Sequence, residues 1–193
     1  MQYEQSRRRL QTWIKIGAAV LLSISSSACS SAFFRDKYFP NFRPAPPPRV
    51  IDAAAVIEST AGSSIDANLG EAFRQIVTEE LATLFARVLP AKGSGEDIVL
   101  VNSVAIQGVF PPTTVTVTAT LMDARTGSKL ASYTRSARDS TFIGETRLQR
   151  VADQFIRNIL PGIKEDLLKA LDNPAILPAR YLPQSPPGLQ SDR

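Results

Sequence analysis

The chain has 193 residues, a net charge of +4 at pH 7, no histidine and one cysteine. Without histidine the familiar nucleophile–base triads and most zinc-type sites are excluded, and a lone cysteine cannot form an internal disulfide. Four of the cations and one acid fall within residues 1–28, so the remainder carries only +1 and shows no electrostatic footprint for nucleic acid.

The chain opens with a basic segment, Arg7-Arg8-Arg9, followed by an apolar run from Ile14 to Ile24 broken only by Lys15, Gly17 and Ser23. A run of roughly 10 residues suits the h-region of an export signal and is short of the roughly 20 that span a bilayer as a helix. Ser25-Ser26-Ser27-Ala28 then leads into Cys29. This stretch resembles a bacterial lipoprotein signal: Ser27 and Ala28 match the small residues before the cysteine, and Ser26 stands where an aliphatic residue is usual. The resemblance implies cleavage before Cys29, a diacylglycerol on its sulfur and a palmitate-type acyl chain on the new N-terminus. Ser30, rather than Asp, follows the cysteine, which implies an outer-membrane lipoprotein facing the periplasm. An ordinary secretory cleavage after Ala28 or Ala32 stays open, because Ser26-x-Ala28 and Ser30-x-Ala32 both fit the small-x-small pattern. The product would then be periplasmic or secreted.

Residues 29–48 read as a tether. Phe33, Phe34, Tyr38, Phe39 and Phe42 show no periodicity, and Pro44-Ala45-Pro46-Pro47-Pro48 favours an extended spacer of about 3.1 Å per residue, tens of ångströms in all. A second reading docks those aromatic residues on a membrane or a partner.

A single domain is expected over residues 49–173. Val50–Glu58 is a strand candidate, and 62–66 a loop. Leu69, Phe73, Ile76, Val77, Leu81, Leu84, Phe85 and Val88 share one helical face, which predicts a helix over 69–89 with Asn68 as N-cap and Glu71 completing a capping box. Ile98–Val109 predicts a strand ended by Pro111-Pro112. In Thr113–Asp123 the residues Val115, Val117, Ala119 and Leu121 alternate with threonines, the period of a strand covered on one face. Asp123 to Lys129 is a turn in which Asp123 bonds its own backbone and Gly127 supplies positive φ. Leu130–Arg138 returns as the antiparallel partner. From Glu145 a second amphipathic helix continues through Leu148, Val151, Phe155, Ile159, Ile163, Leu167 and Leu171, with Pro161-Gly162 as a kink or a new start. Residues 174–193 are a proline-containing tail. The expected fold is α/β (α+β): a small, mainly antiparallel sheet with two amphipathic helices on one face, in the order β-α-β-β-β-α.

Leu121 to Leu130, LMDARTGSKL, is similar to the strand–D-x-x-T-G–strand turn of small periplasm-facing lipoproteins. Among these are the auxiliary lipoproteins of ABC-type lipid and solvent transport systems and the relatives of the curli secretion channel. The resemblance implies an envelope accessory protein and supplies no catalytic residue.

No phosphate-binding or dinucleotide glycine loop and no calcium loop is present in the sequence, and no cofactor is expected. Asp97, Asp123, Asp139 and Glu145 are the carboxylates available for acid–base chemistry, yet each sits where caps and turns place solvated charge. The expectation is a non-enzymatic lipoprotein, held to the membrane through acylated Cys29, that serves an envelope transport, secretion or assembly system by binding a protein partner. Arg147, Arg150, Arg157 and Lys164 on the last helix form its candidate docking face. The alternative is an oligomeric outer-membrane channel subunit, since 113–123 and 130–138 are long enough to cross as strands.

Overall fold

The computed structural model describes residues 31–108, 111–140 and 144–173. The segments expected to be an export signal (1–28) and a C-terminal tail (174–193), and Cys29 itself, lie outside the described residues. Five strands make one sheet: β1 (Ile51–Ser64), β2 (Phe85–Leu89), β3 (Ile98–Gln107), β4 (Thr113–Asp123) and β5 (Lys129–Asp139), in the order β2-β1-β3-β4-β5. The helices are α1 (31–38), α2 (Ala67–Ala82), α3 (Gly144–Gln154) and α4 (Leu160–Leu171), with a π turn at Phe155–Ile159 joining the last two. The α+β class read from the sequence is the one observed, with amphipathic helices on one face of the sheet.

The β4–β5 hairpin follows its pattern. Val115, Val117, Ala119 and Leu121 are fully buried under the helices. On the opposite face Thr116, Thr118 and Thr120 hydrogen-bond across the register to Ser136, Thr134 and Ser132 at 2.8–3.0 Å. The helices of this same chain therefore cover the hairpin's apolar face, and the other face is hydroxyl-lined, with no apolar band for lipid. In the turn, the Thr126 N–H donates to Asp123 Oδ1 at 2.7 Å and Gly127 has φ +68°.

Other parts of the sheet differ from expectation. The predicted helix over 69–89 stops at Ala82; Thr83 caps its end by donating to the Glu80 carbonyl at 2.7 Å. Phe85–Leu89 then runs as β2, parallel to β1. β1 is longer than expected because it serves two partners: its first half pairs with β2, and Ala55–Ser64 pairs with β3, also in parallel. The sheet is thus half parallel and half antiparallel. Connection 90–97 crosses β1, tied by the Lys92–Glu58 ion pair and by the Asp97 N–H to the Ala54 carbonyl. The N-cap of α2 is Asp66 rather than Asn68. Its carboxylate accepts from the Asn68 and Leu69 N–H groups, and Glu71 instead pairs with Arg74 one turn on.

The last helical stretch runs through Pro161 without breaking. Proline removes one backbone donor and crowds the carbonyl four residues earlier. The π turn takes up this misfit, with the Leu160 N–H reaching back to the Phe155 carbonyl.

Candidate functional site

Residues 31–48 do not form a free spacer. α1 lies along α2, held by the bidentate Arg35–Glu79 pair. This pairing raises the guanidinium pKa of Arg35 against the opposing effect of burial. Phe39 is buried against Phe73 of α2 at 4.8 Å and Phe155 of the π turn at 6.0 Å, while Phe73 and Phe155 meet edge-to-face at 4.8 Å. Each such aromatic pair adds about 0.5–1.5 kcal/mol beyond area burial. The chain then follows the seam between α2 and α4. Arg49 pairs with Asp172 at the end of α4, and the Ile51 N–H joins the Leu84 carbonyl as β1 begins. Of the five aromatic residues that the second reading docks on a membrane or a partner, Tyr38 and Phe39 belong to this chain's own core, Phe34 and Phe42 pack against it, and Phe33 is exposed.

In the seam, Glu80 and Lys164 form an ion pair at 2.6 Å with side chains only 5% and 7% exposed. Both also grip the backbone of Ala45: its N–H donates to Glu80 Oε2 at 3.0 Å, and Lys164 Nζ donates to its carbonyl. Every charged atom of the pair thus has a protein partner or faces one, which is the condition for tolerating a buried pair. Ala45 is a suitable residue here because the prolines around it, Pro44 and Pro46, carry no N–H to offer.

The predicted docking face divides. Lys164 is buried in this Glu80–Lys164 latch on the Ala45 backbone and Arg147 is also buried, so neither belongs to an exposed basic surface. The docking reading places both on the solvent side, but Arg147 precedes Val151 by four residues and Lys164 follows Leu160 by four, which puts each on the covered stripe. Arg150 and Arg157 are exposed. Arg157 lines a cavity of about 470 Å³ between residues 31–48, a strap laid along α2 and α4, and the α3–π segment, together with Tyr38, Phe42, Arg43, Gln149 and Asp153. Arg43 and Arg157 enter no ion pair among the described residues, so this cleft presents two arginines and an aromatic wall against one carboxylate. Of the carboxylates considered for acid–base work, Asp123 is committed to its turn and Glu145 to Lys37, each with its pKa lowered by that hydrogen bond. Among the described residues no group of three His, Cys, Asp or Glu gathers to hold a metal.

Sequence reasoning missed Glu80, Ala45 and Arg43, and the place of Phe39 in the core. A usable signal existed for Glu80: it lies four residues after Ile76 and three after Val77, on the buried stripe of α2, just as Lys164 lies on that of α4. An acid and a base at core positions of two helices are each other's natural partner. Asn102, fully buried on β3, was also missed. Its Oδ1 accepts from Ser59 at 2.5 Å, and its Nδ2 has no partner.

No protein-family model matches the chain, and no curated protein matches it. Among solved structures it is similar to a Xanthomonas campestris protein of family DUF330, with 13% identity, 67% of this chain and 93% of that one covered, and a TM-score of 0.47. A Neisseria meningitidis lipoprotein shares 21% identity over 55% of this chain and 99% of that one, with a TM-score of 0.38. The PelC dodecamer from Paraburkholderia phytofirmans shares 20% over 60% of this chain and 92% of its own, with a TM-score of 0.39. At these identities and TM-scores the likenesses assign no family.

Proposed function

We propose that the protein is a lipid-anchored, non-enzymatic component of a cell-envelope transport, secretion or assembly system, attached to the outer membrane through acylated Cys29 and acting by binding a protein partner. The observation that carries this reading is the context of Cys29. It ends a basic, apolar and small-residue leader, the pattern of a lipoprotein signal. The folded body offers a binding cleft, and of the carboxylates available for chemistry Asp123 is engaged in its turn, Glu145 with Lys37 and Asp97 with the Ala54 N–H. The partner's place is the exposed side of α3 and the π turn. There Arg157 and Arg43 rim the cleft and Arg150 lies on the same helical run, a surface suited to an acidic segment.

Two measurements test the proposal. Wild type should incorporate labelled palmitate and fractionate with outer membranes, and Cys29→Ser should do neither. A wild type that takes no label sinks the lipoprotein reading. A photocrosslinker at Gln149, on the wall of the same cleft, should capture a defined protein in intact envelopes, and the charge reversals Arg150→Glu and Arg157→Glu should weaken that capture without changing the melting curve. Capture unaffected by the reversals at low salt, where surface charge acts most strongly, sinks the arginine face. Turnover of an envelope substrate by the purified protein sinks the non-enzymatic reading.

A further inference from the structure

The folding of the strap onto the body changes where the body must sit. An extended spacer over 29–48 would hold it tens of ångströms from the bilayer. Instead α1 is fixed from its first described turn. Ser31 and Ala32 share the wall of a cavity of about 500 Å³ with Ala67, Asn68 and Glu71 at the start of α2. Arg35 is clamped to Glu79, and Phe34, Tyr38 and Phe39 pack on or in the core. The chain between Cys29 and Ser31 is two residue steps, which span at most about 7 Å fully extended. A lipid on Cys29 and the Ser31 end of the body are thus held together by covalent geometry.

The same end carries exposed apolar side chains. Phe33 is 61% exposed on the outer side of α1, four residues after Cys29. Ile65 is 37% exposed in the turn from β1 to α2, two residues before Ala67. Among the described residues the Phe33 ring meets Phe34 edge-on at 5.7 Å and keeps most of its surface open, and neither Phe33 nor Ile65 lines the arginine cleft. An aromatic ring and a branched aliphatic at the point of lipid attachment match the composition that favours a membrane interface.

We infer that the body is not suspended from the membrane but lies against it, with the Ser31 end facing the bilayer and Phe33 and Ile65 in contact with the lipid interface. This rests on acylation of Cys29. The β4–β5 turn then points away. β4 runs from that end to the turn, and its 11 residues place the turn about 30 Å further out at roughly 3.3 Å per residue. The arginine cleft, on the flank, is left open to a partner in the aqueous phase.

The test uses the full acylated protein in vesicles of phosphatidylethanolamine and phosphatidylglycerol. Single cysteines replace Phe33, Ile65 or Arg125, the last in the β4–β5 turn, and carry an environment-sensitive fluorophore. Each exposed position accepts the label without touching the core, and unchanged melting curves check this. With nitroxide-labelled lipid present, probes at 33 and 65 should be blue-shifted and quenched at least about twice as strongly as the probe at 125. Equal quenching at all three positions, in protein shown to carry palmitate on Cys29, overturns the apposition and leaves the lipoprotein reading standing. Absence of palmitate on Cys29 overturns both.

Discussion

Replacing Lys164 with Met removes one half of the Glu80–Lys164 pair and keeps most of the side chain's volume. The pair is buried, with side chains 7% and 5% exposed, so the change strands a carboxylate in the seam. Breaking a buried pair from one side costs about 3–5 kcal/mol. Glu80 retains the Ala45 N–H at 3.0 Å, a charge-assisted bond in the range of about 1.5–3 kcal/mol, which keeps the expected loss near the lower end, about 3 kcal/mol. With a urea m-value of about 1–3 kcal/mol/M, the midpoint falls by roughly 1–3 M. The double variant Glu80→Leu/Lys164→Met strands no charge. It should lose clearly less than the sum of the singles, with a coupling of up to about 3 kcal/mol. The residual cost is the unpaired N–H and carbonyl of Ala45. Hydrogen exchange supplies the local readout, since protection of the Ala45 amide should vanish in either Glu80 variant. A single-variant loss under about 1 kcal/mol, or zero coupling in the cycle, would refute the latch.

The hairpin was readable because its signals are local. Threonine alternation, Asp123 and Gly127 sit within one turn of chain and need no knowledge of what lies across from them. β2 was not readable for the opposite reason. Leu84, Phe85 and Val88 fit a helical stripe continued from Leu81 as well as they fit a short strand, and only the edge of β1 distinguishes the two. The strap was hidden more deeply. Phe39 and Ala45 have no periodicity, and their partners lie 34 and 35 or more residues away, at Phe73, Phe155, Glu80 and Lys164. Composition alone therefore gives a spacer. The candidate site was half legible for the same reason. Arginine and lysine on an amphipathic helix are by default solvated, and it takes the second helix to show that Lys164 has an acid waiting at a core position. The exposed positions of Arg150 and Arg157 follow from the helical spacing alone.

Three further outcomes are expected from the surface of the fold. Gly127 has φ +68° and open space around it, so Gly127→Val should cost about 1–2 kcal/mol from backbone conformation alone, with Gly127→Asn milder; equal melting temperatures for the two would remove the turn argument. The Asp123 carboxyl is lowered below 3.8, first by the Thr126 backbone N–H, so its contribution is present above that pH and lost as pH falls through the folded value. Asp123→Asn keeps an acceptor oxygen but not the titration, and its melting temperature should fall less steeply than wild type in acid; parallel acid limbs would count against the assignment. Gly162 is approached by Arg135, whose Nε and Cζ would lie 2.7 Å from an added Cβ. The obstacle is the mobile end of a side chain, and what holds it there is the exposed Arg135–Asp166 pair, which contributes little. Gly162→Ala should therefore displace Arg135 and still gain helix propensity, up to about 1 kcal/mol. Urea denaturation in two backgrounds separates these effects: the gain should be larger in Arg135→Ala, where nothing needs to move. A loss above about 2 kcal/mol in both backgrounds would mean that backbone, rather than Arg135, closes the space above Gly162.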